Sequence, residues 1–298
     1  MKVLVIGSSG QLARSLASTR RPGIEVTTVG RPVLDLRIPS TIERAVAAHR
    51  PDLIVNAAAY TAVDRAESEP EIAHAINARG AGLLASVSAA AGLPLIHVST
   101  DYVFNGRSTR PNVEDDAVDP LNVYGTTKAE GEQRIVETNP QSIILRTSWL
   151  HSPFGRNFVS GMIDLATRKD EIAVVDDQFG SPTYGPHLAT AILQIAEQSS
   201  RSGFSGWGIY HASGGGETTW CGLALEAMAV SKWLRGPSTE IRAITTAEYP
   251  LPAKRPRNSR LNCAKLIANF GVSLPNWRIG AALCVGEIIG RTKSTAAA

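Results

Sequence analysis

Short apolar runs rich in β-branched residues recur through the first half of the chain. They are KVLVI (2–6), EVTTV (25–29), DLIVNAA (52–58), LPLIHVS (93–99) and SIILRTS (142–148). Such runs are what strands buried on both faces look like. Helical patterns lie between them: QLARSLAS (11–18), TIERAVAAHR (41–50), the long EIAHAINARGAGLLASVSAAAG (71–92) and NVYGTTKAEGEQRIVE (122–137). The alternation predicts an α/β fold, a Rossmann-type doubly wound parallel sheet with right-handed crossovers and helices on both faces. Ligands in such sheets bind beyond the carboxyl ends of the strands.

After Trp149 the rhythm loosens. RNFVSGMIDLATRK reads as a helix, EIAVVDD as a short strand and HLATAILQIAEQ as a helix returning to the sheet, while the chain from about Ser213 reads as irregular. The expected division is a dinucleotide-binding domain over 1–150 plus about 172–212, and a smaller, discontinuous substrate lobe over about 151–171 plus 213–298. The last residues, TKSTAAA, read as a frayed tail.

Composition narrows the function classes. The 298 residues are 43% hydrophobic and 19% charged, with a net charge of +3. So small a charge argues against a nucleic-acid or membrane partner. No run approaches the ~18 apolar residues of a membrane span, and MKVLVIGSSG lacks the pattern of a signal peptide. A cytoplasmic protein is expected. Cys221, Cys263 and Cys284 have no metal or CxxC spacing and read as buried thiols in a reducing compartment. The six histidines show no ligand spacing either, so no catalytic metal is expected.

In VLVIGSSGQLA, Gly7 and Gly10 follow the first strand and open the first helix, with Gln11 and Leu12 next and Ala13 where a third glycine would fall. This is the geometry for holding a pyrophosphate at a helix N-terminus; a plain strand–helix turn is the alternative. EVTTVG leads into Arg31, and Asp35 and Leu36 come only after Pro32. A cation there suits the 2′-phosphate of NADP(H), unless Arg31 is simply a solvated surface residue. Ala57, Ala58 and Ala59 are small residues at a strand end, where bulk would block a flat cofactor.

Tyr124 and Lys128 are four apart on one helix, hence on one face. At ~4 Å and an effective dielectric of ~20, an ammonium and a phenolate interact by about 4 kcal/mol. That could lower a phenol pKa of ~10 by up to roughly three units. An acidic tyrosine, the Thr100 hydroxyl and a nicotinamide together make a ketone reductase.

GSSGQLA, NAAAYTAVDRAESEP, STDYVFNG, PLNVYGTTKAEGE, RTSWL and DDQFGSPT, in this order from Lys2 to about Asn262, resemble the extended short-chain dehydrogenase/reductases. More narrowly they resemble the dTDP-4-dehydrorhamnose reductase family. The resemblance implies a catalytic Thr100, Tyr124 and Lys128, with Asp101, Tyr102 and Trp149 beside the sugar and Tyr60 on the cofactor side. It also implies NADPH as the preferred cofactor, with NADH as a second donor, and dTDP-4-dehydro-L-rhamnose as substrate. Asn157 is a further substrate-binding candidate, or a helix cap. Asp64 and Glu67 would support the loop over the site, or be surface charges. The turn holding Gln178, Gly180 and Thr183 would lie near the nucleotide-sugar, or be no more than a turn. Lys254, Arg255, Arg257 and Arg260 would hold a diphosphate, or form a solvated basic loop. A homodimer is compatible with the resemblance, but the acids of a metal-bridged dimer described for some members are missing from QLARSLAS. The rivals are another nucleotide-sugar reductase or an epimerase/dehydratase of the superfamily, and a non-catalytic NADP-binding regulatory subunit like the β subunit of methionine adenosyltransferase.

Overall fold

A computed structural model describes residues 1–296, with side chains described as far as Arg291. The expected frayed tail, TKSTAAA, therefore lies outside the described side chains. Six parallel strands form the main sheet: β1 (Lys2–Ile6), β2 (Glu25–Val29), β3 (Leu53–Asn56), β4 (Leu95–Thr100), β5 (Ser142–Thr147) and β6 (Gly208–His211). Their spatial order is β6-β5-β4-β3-β1-β2. Val5 lies opposite Thr28 on one side and Val55 on the other. The chain thus winds outward in both directions from β1 and β3, and the crevice between their carboxyl ends is the switch point where ligands bind in this architecture.

The first five strands and the helices between them fall where the apolar rhythm predicts. The helices are α1 (Gln11–Ser18), α2 (Pro39–His49), α3 (Ala81–Ala90) and α4 (Val123–Thr138). The helical stretch before α3 begins at Pro70 and makes a π-helical turn over Ala75–Gly80. Inside that turn Asn77 reaches across to the Tyr60 backbone, accepting from its N–H at 2.8 Å and donating to its carbonyl at 3.1 Å. One face of the sheet packs Val5, Val55 and Leu145 against Leu12, Leu16 and α6 (Gly185–Ser199); the other packs Ile54 and Ile144 against Leu84 and Ile135.

A second core gathers Trp149, Val159, Ile172, Leu223 and Val285. It is built from α5 (Phe158–Leu165), α7 (Trp220–Trp233), α8 (Trp277–Ala296) and the strand pair Glu171–Val175 with Glu240–Ile244. Two expectations are revised here. The strand Glu171–Val175 buries Ile172 and Val174 in the second core, whereas α6 and β6 pack into the core that holds Val5, Val55 and Leu145. The chain beyond Ser213 is also far from irregular, since it holds α7 and α8. Their rhythm is flattened because apolar residues also occupy the solvent side, with Leu225, Trp233, Ile279 and Leu283 exposed, and an apolar run without a polar face shows no clear period. Cys221 and Cys284 are buried and Cys263 partly so, all as free thiols.

Candidate active site

At the end of β1, Gly7 has φ 115°, a conformation costly for any residue with a Cβ. A Cβ there would lie 3.5 Å from the Ala57 carbonyl and the Ala58 nitrogen, so the β1 and β3 loops meet backbone to backbone. Helix α1 then begins with Gly10 in the cap position. No side chain caps it, its first turn holds no acid, and the space a Cβ would take at Gly10 is open. These free N–H groups border a cleft of about 800 Å³, lined at this end by Gly7, Gly10, Gln11, Leu12, Arg31, Asp35, Leu36, Ala57, Ala58 and Ala59. An uncapped helix start on a glycine turn fits a pyrophosphate. Arg37 grips the Asp35 carboxylate at 2.9 and 2.6 Å and holds it down at about 2. That carboxylate is therefore neutralised by its own partner, and Arg31 leaves this end of the cleft cationic.

The opposite end is lined by Thr100, Asp101, Tyr124, Lys128 and Trp149. The Asn122 carboxamide starts α4 by accepting from the Gly125 N–H at 2.8 Å, and Glu67 accepts from the Val123 N–H at 2.9 Å. A Cβ at Gly125 would sit 2.2 Å from the Tyr102 carbonyl. Only glycine lets the helix seat here, where the Tyr124 and Tyr102 rings meet edge to face at 6.0 Å. The expected acidification of Tyr124 is not what the geometry produces. Burial pushes the phenol up to about 12, the Thr100 hydroxyl pulls it down and the Asp101 charge pushes it further up. Lys128 sends its Nζ to the Val98 carbonyl at 2.7 Å and to His97 Nε2 at 3.0 Å. Burial lowers Lys128 to about 8, against the pull of the Glu132 carboxylate.

Asp101 is 3% exposed and receives the Thr100 hydroxyl at 3.1 Å on Oδ1. Burial lifts this acid to about 6, with the Ser259, Thr100 and Ser148 hydroxyls pulling the other way. A carboxyl raised in the folded state stabilises the fold below its unfolded pKa of ~3.9 and loses that contribution as pH rises through about 6. Asp101→Asn is therefore expected to be more stable than the parent by about 2–3 kcal/mol at pH 8, with the difference gone near pH 3.5. Urea midpoints at the two pH values check this, and equal stabilisation at both would refute the assignment to Asp101 ionisation.

Trp149 has φ 47°, a strained value for a bulky residue. Its indole lies flat on Trp220, with ring centres 3.6 Å apart and planes 6° from parallel. Gly180 makes room for it, since a Cβ there would be 2.3 Å from the ring. Trp149 and Trp220 thus form an apolar shelf along the cleft wall.

Residues 1–289 match the family model described as the RmlD substrate binding domain. The chain belongs to this family. Among relatives, a dTDP-4-dehydrorhamnose reductase of Sinorhizobium fredii is 45% identical over 278 residues, covering 93% of this chain and 94% of that one. One from Escherichia coli K12 is 38% identical, covering 98% and 99%. The crystal structure of a dTDP-4-dehydrorhamnose reductase from Bacillus anthracis in complex with NADP superposes with a TM-score of 0.89 at 33% identity, covering 96% of this chain and 99% of that one. A UDP-glucose 4-epimerase of Thermotoga maritima shares the fold, with a TM-score of 0.80 at 19% identity.

Not every family-suggested residue reaches the cleft lining. The Tyr60 hydroxyl is bound to Glu69. Tyr102 sits behind Tyr124, its phenol raised by burial. Asn157 caps α5, accepting from the Ser160 N–H at 3.1 Å and donating to the Ser152 carbonyl at 2.7 Å, so its amide is spent locally. In the basic run, Arg255 forks onto Asp64 at 2.6 Å and Arg260 pairs with Glu217 at 2.8 Å. These guanidiniums staple the loop to its neighbours instead of lining the cleft. Gln178 bonds Thr246 at 2.9 Å. Lining residues that the sequence did not single out include Thr61, Ile76, Arg156 and Trp220. Trp220 had a signal, an aromatic directly after a Thr-Thr pair at a helix start, but no spacing rule linked it to Trp149. Among the described residues no group of three or more His, Cys, Asp or Glu could hold a metal ion, and no helix is long and apolar enough to cross a membrane.

Proposed function

We propose that this chain is an NADPH-dependent reductase that converts the 4-keto group of dTDP-4-dehydro-6-deoxy-L-mannose to the alcohol of dTDP-L-rhamnose. The observation that carries the reading is a single cleft lined at one end by the glycine loop and Arg31 and at the other by Thr100, Tyr124 and Lys128. The names of the full-length relatives supply the substrate, and the NADP-bound relative supports the cofactor. Arg31 favours NADPH, and NADH is accepted as a second donor. Bound NADPH supplies the hydride.

Tyr124 keeps its proton at neutral pH because burial holds its pKa near 12. It is thus fully in the acid form that reduction needs, and it delivers that proton to the carbonyl oxygen. The Thr100 hydroxyl polarises the same oxygen, and Lys128 offers N–H to the ribose side. Asp101 and the Trp149–Trp220 shelf border the sugar. In this reading residues 1–150 with about 185–212 hold the cofactor and the remainder holds the sugar. A cytoplasmic enzyme with a small-molecule substrate and no nucleic-acid partner goes with the weak net charge.

The test is incubation of the purified protein with NADPH and the 4-keto sugar. Loss of NADPH absorbance in step with substrate, and dTDP-L-rhamnose as the product by NMR, are expected. An epimerase or dehydratase recycles its cofactor, so a changed sugar without net NADPH loss would assign the chain to that class. NADPH binding with no turnover would assign it to the regulatory class.

A further inference from the structure

Among the described residues three cations line the cleft: Arg31, Lys128 and Arg156. Arg31 is the group for a 2′-phosphate, and Lys128 stands beside Tyr124 with its Nζ on the Val98 carbonyl at 2.7 Å. Arg156 has no part in the steps described for Tyr124, Thr100 and Lys128. It is exposed, and no carboxylate among the described residues pairs with its guanidinium. An exposed arginine is ordinarily just solvated; what sets this one apart is the loop that carries it. Residues 152–157 are fastened to the start of α1, where the Ser152 hydroxyl donates to Gln11 Oε1 at 3.0 Å. Asn157 draws the loop together by donating to the Ser152 carbonyl at 2.7 Å. The Phe154 ring meets two guanidiniums, Arg14 of α1 at 4.6 Å and Arg291 of α8 at 4.7 Å from its centre. Arg291 also donates to the Pro153 carbonyl at 2.7 Å. Gly155 then turns with φ 70°, a conformation open to glycine at little cost. The nearest atom to a Cβ there would be Gln11 Cγ, at 4.0 Å.

We propose that Arg156 is a cofactor-binding residue: its loop presents it beside Gln11, where it pairs with the pyrophosphate of the dinucleotide while Arg31 takes the 2′-phosphate. The assignment rests on the cofactor half of the proposed function. A pyrophosphate at the start of α1 brings two negative charges. The uncapped helix start answers with about half a positive charge, and the glycine loop GSSGQLA holds no cation of its own. Arg14 lies further along α1 and does not line the cleft. Arg156 is the cation of the lining that the loop geometry brings to this place, and a guanidinium forks onto phosphate oxygens with two parallel N–H bonds. The two arginines then divide the work. Arg156 holds a group common to NADPH and NADH, and Arg31 tells them apart. The diphosphate of a nucleotide-sugar offers the same chemistry, so the test has to separate the two sources.

Fluorescence titration of the full chain with NADPH and with NADH, in the absence of sugar, gives the Kd values of the parent, Arg156→Ala and Arg31→Ala. In Arg156→Ala both values are expected to rise by the same factor, about tenfold or more, and the rise should shrink at high salt. In Arg31→Ala the NADPH value alone should rise. The Arg156 side chain is exposed and pairs with no carboxylate, so its alanine variant should fold as the parent does. Unchanged Kd values for both cofactors in Arg156→Ala, or a rise confined to NADPH, would overturn the proposal. A raised KM for the keto-sugar with both cofactor Kd values unmoved would overturn it too, and would give Arg156 to the sugar's diphosphate. An Arg31→Ala protein that loses both cofactors alike would overturn the division between the two arginines. A parent that binds neither dinucleotide would sink the cofactor reading and this assignment together, whereas a parent that binds both beside an unmoved Arg156→Ala sinks this assignment alone.

Discussion

Tyr124→Phe is expected to lower kcat for the keto-sugar by about 10²–10⁴-fold, with NADPH affinity changed no more than a few-fold. That loss is about 3–5 kcal/mol of transition-state stabilisation. It should appear in kcat and kcat/KM together, because the lost interaction is a proton transfer made only as the alkoxide forms. The ring itself is retained, and with it the edge-to-face contact on Tyr102 and the packing of α4. No unpaired group is created, so the variant should fold as the parent does. Burial already holds the phenol near 12, so the parent's rate should show no limb from Tyr124 between pH 6 and 9. A folded Phe variant at near wild-type rate would sink the assignment of Tyr124 as the acid and point to Thr100 or a water in its place.

The parts of this site that could be read from sequence were those set by local periodicity. Strands β1 to β5 are short β-branched runs buried on both sides, and their carboxyl ends put Gly7, Ala57 and Thr100 on one edge without further information. The i, i+4 spacing put Tyr124 and Lys128 on one face of α4, but spacing says nothing about where a flexible ammonium points. Its partner, His97, comes from β4, thirty-one residues earlier in the chain, and reaches Nζ only through the parallel packing of helix on sheet. Competition of the same kind removed Asn157, whose amide is satisfied within its own helix start, and Arg255, which found Asp64. The sign of the Tyr124 shift failed for a related reason. The Coulomb argument assumed an exposed pair, whereas the structure buries the phenol, and desolvation outweighs the hydroxyl that helps it. Helices α7 and α8 were lost because their outer faces are also apolar, a tertiary fact that flattens the sequence pattern.

The largest stability effect should come from a residue with no part in the chemistry. Glu132 follows Lys128 by one turn on the buried face of α4, and its carboxylate takes the Arg146 guanidinium on both oxygens, at 3.1 Å from Nε and 2.7 Å from Nη2. Ser99 also donates to it. The two side chains are 5% and 2% exposed. Among the described residues, Arg146 further meets the Glu114 carbonyl at 3.3 Å and the face of Phe104 at 5.1 Å, neither of them an anion. Glu132→Ala strands that cation in the core, which costs about 3–5 kcal/mol, a large share of the ~5–15 kcal/mol that holds a domain folded. Glu132→Gln keeps an acceptor oxygen and most of the volume and should lose about half as much. Replacing both partners, Glu132→Met with Arg146→Met, removes the desolvation cost together with the attraction and should recover most of the loss. Urea unfolding of the four proteins gives the ordering. An alanine variant within 1 kcal/mol of the parent would mean that water reaches the guanidinium and that this pair does not anchor α4. If the ordering holds, the helix that presents Tyr124 and Lys128 is fixed to the sheet by a charge pair buried behind them, and the active-site geometry rests on it.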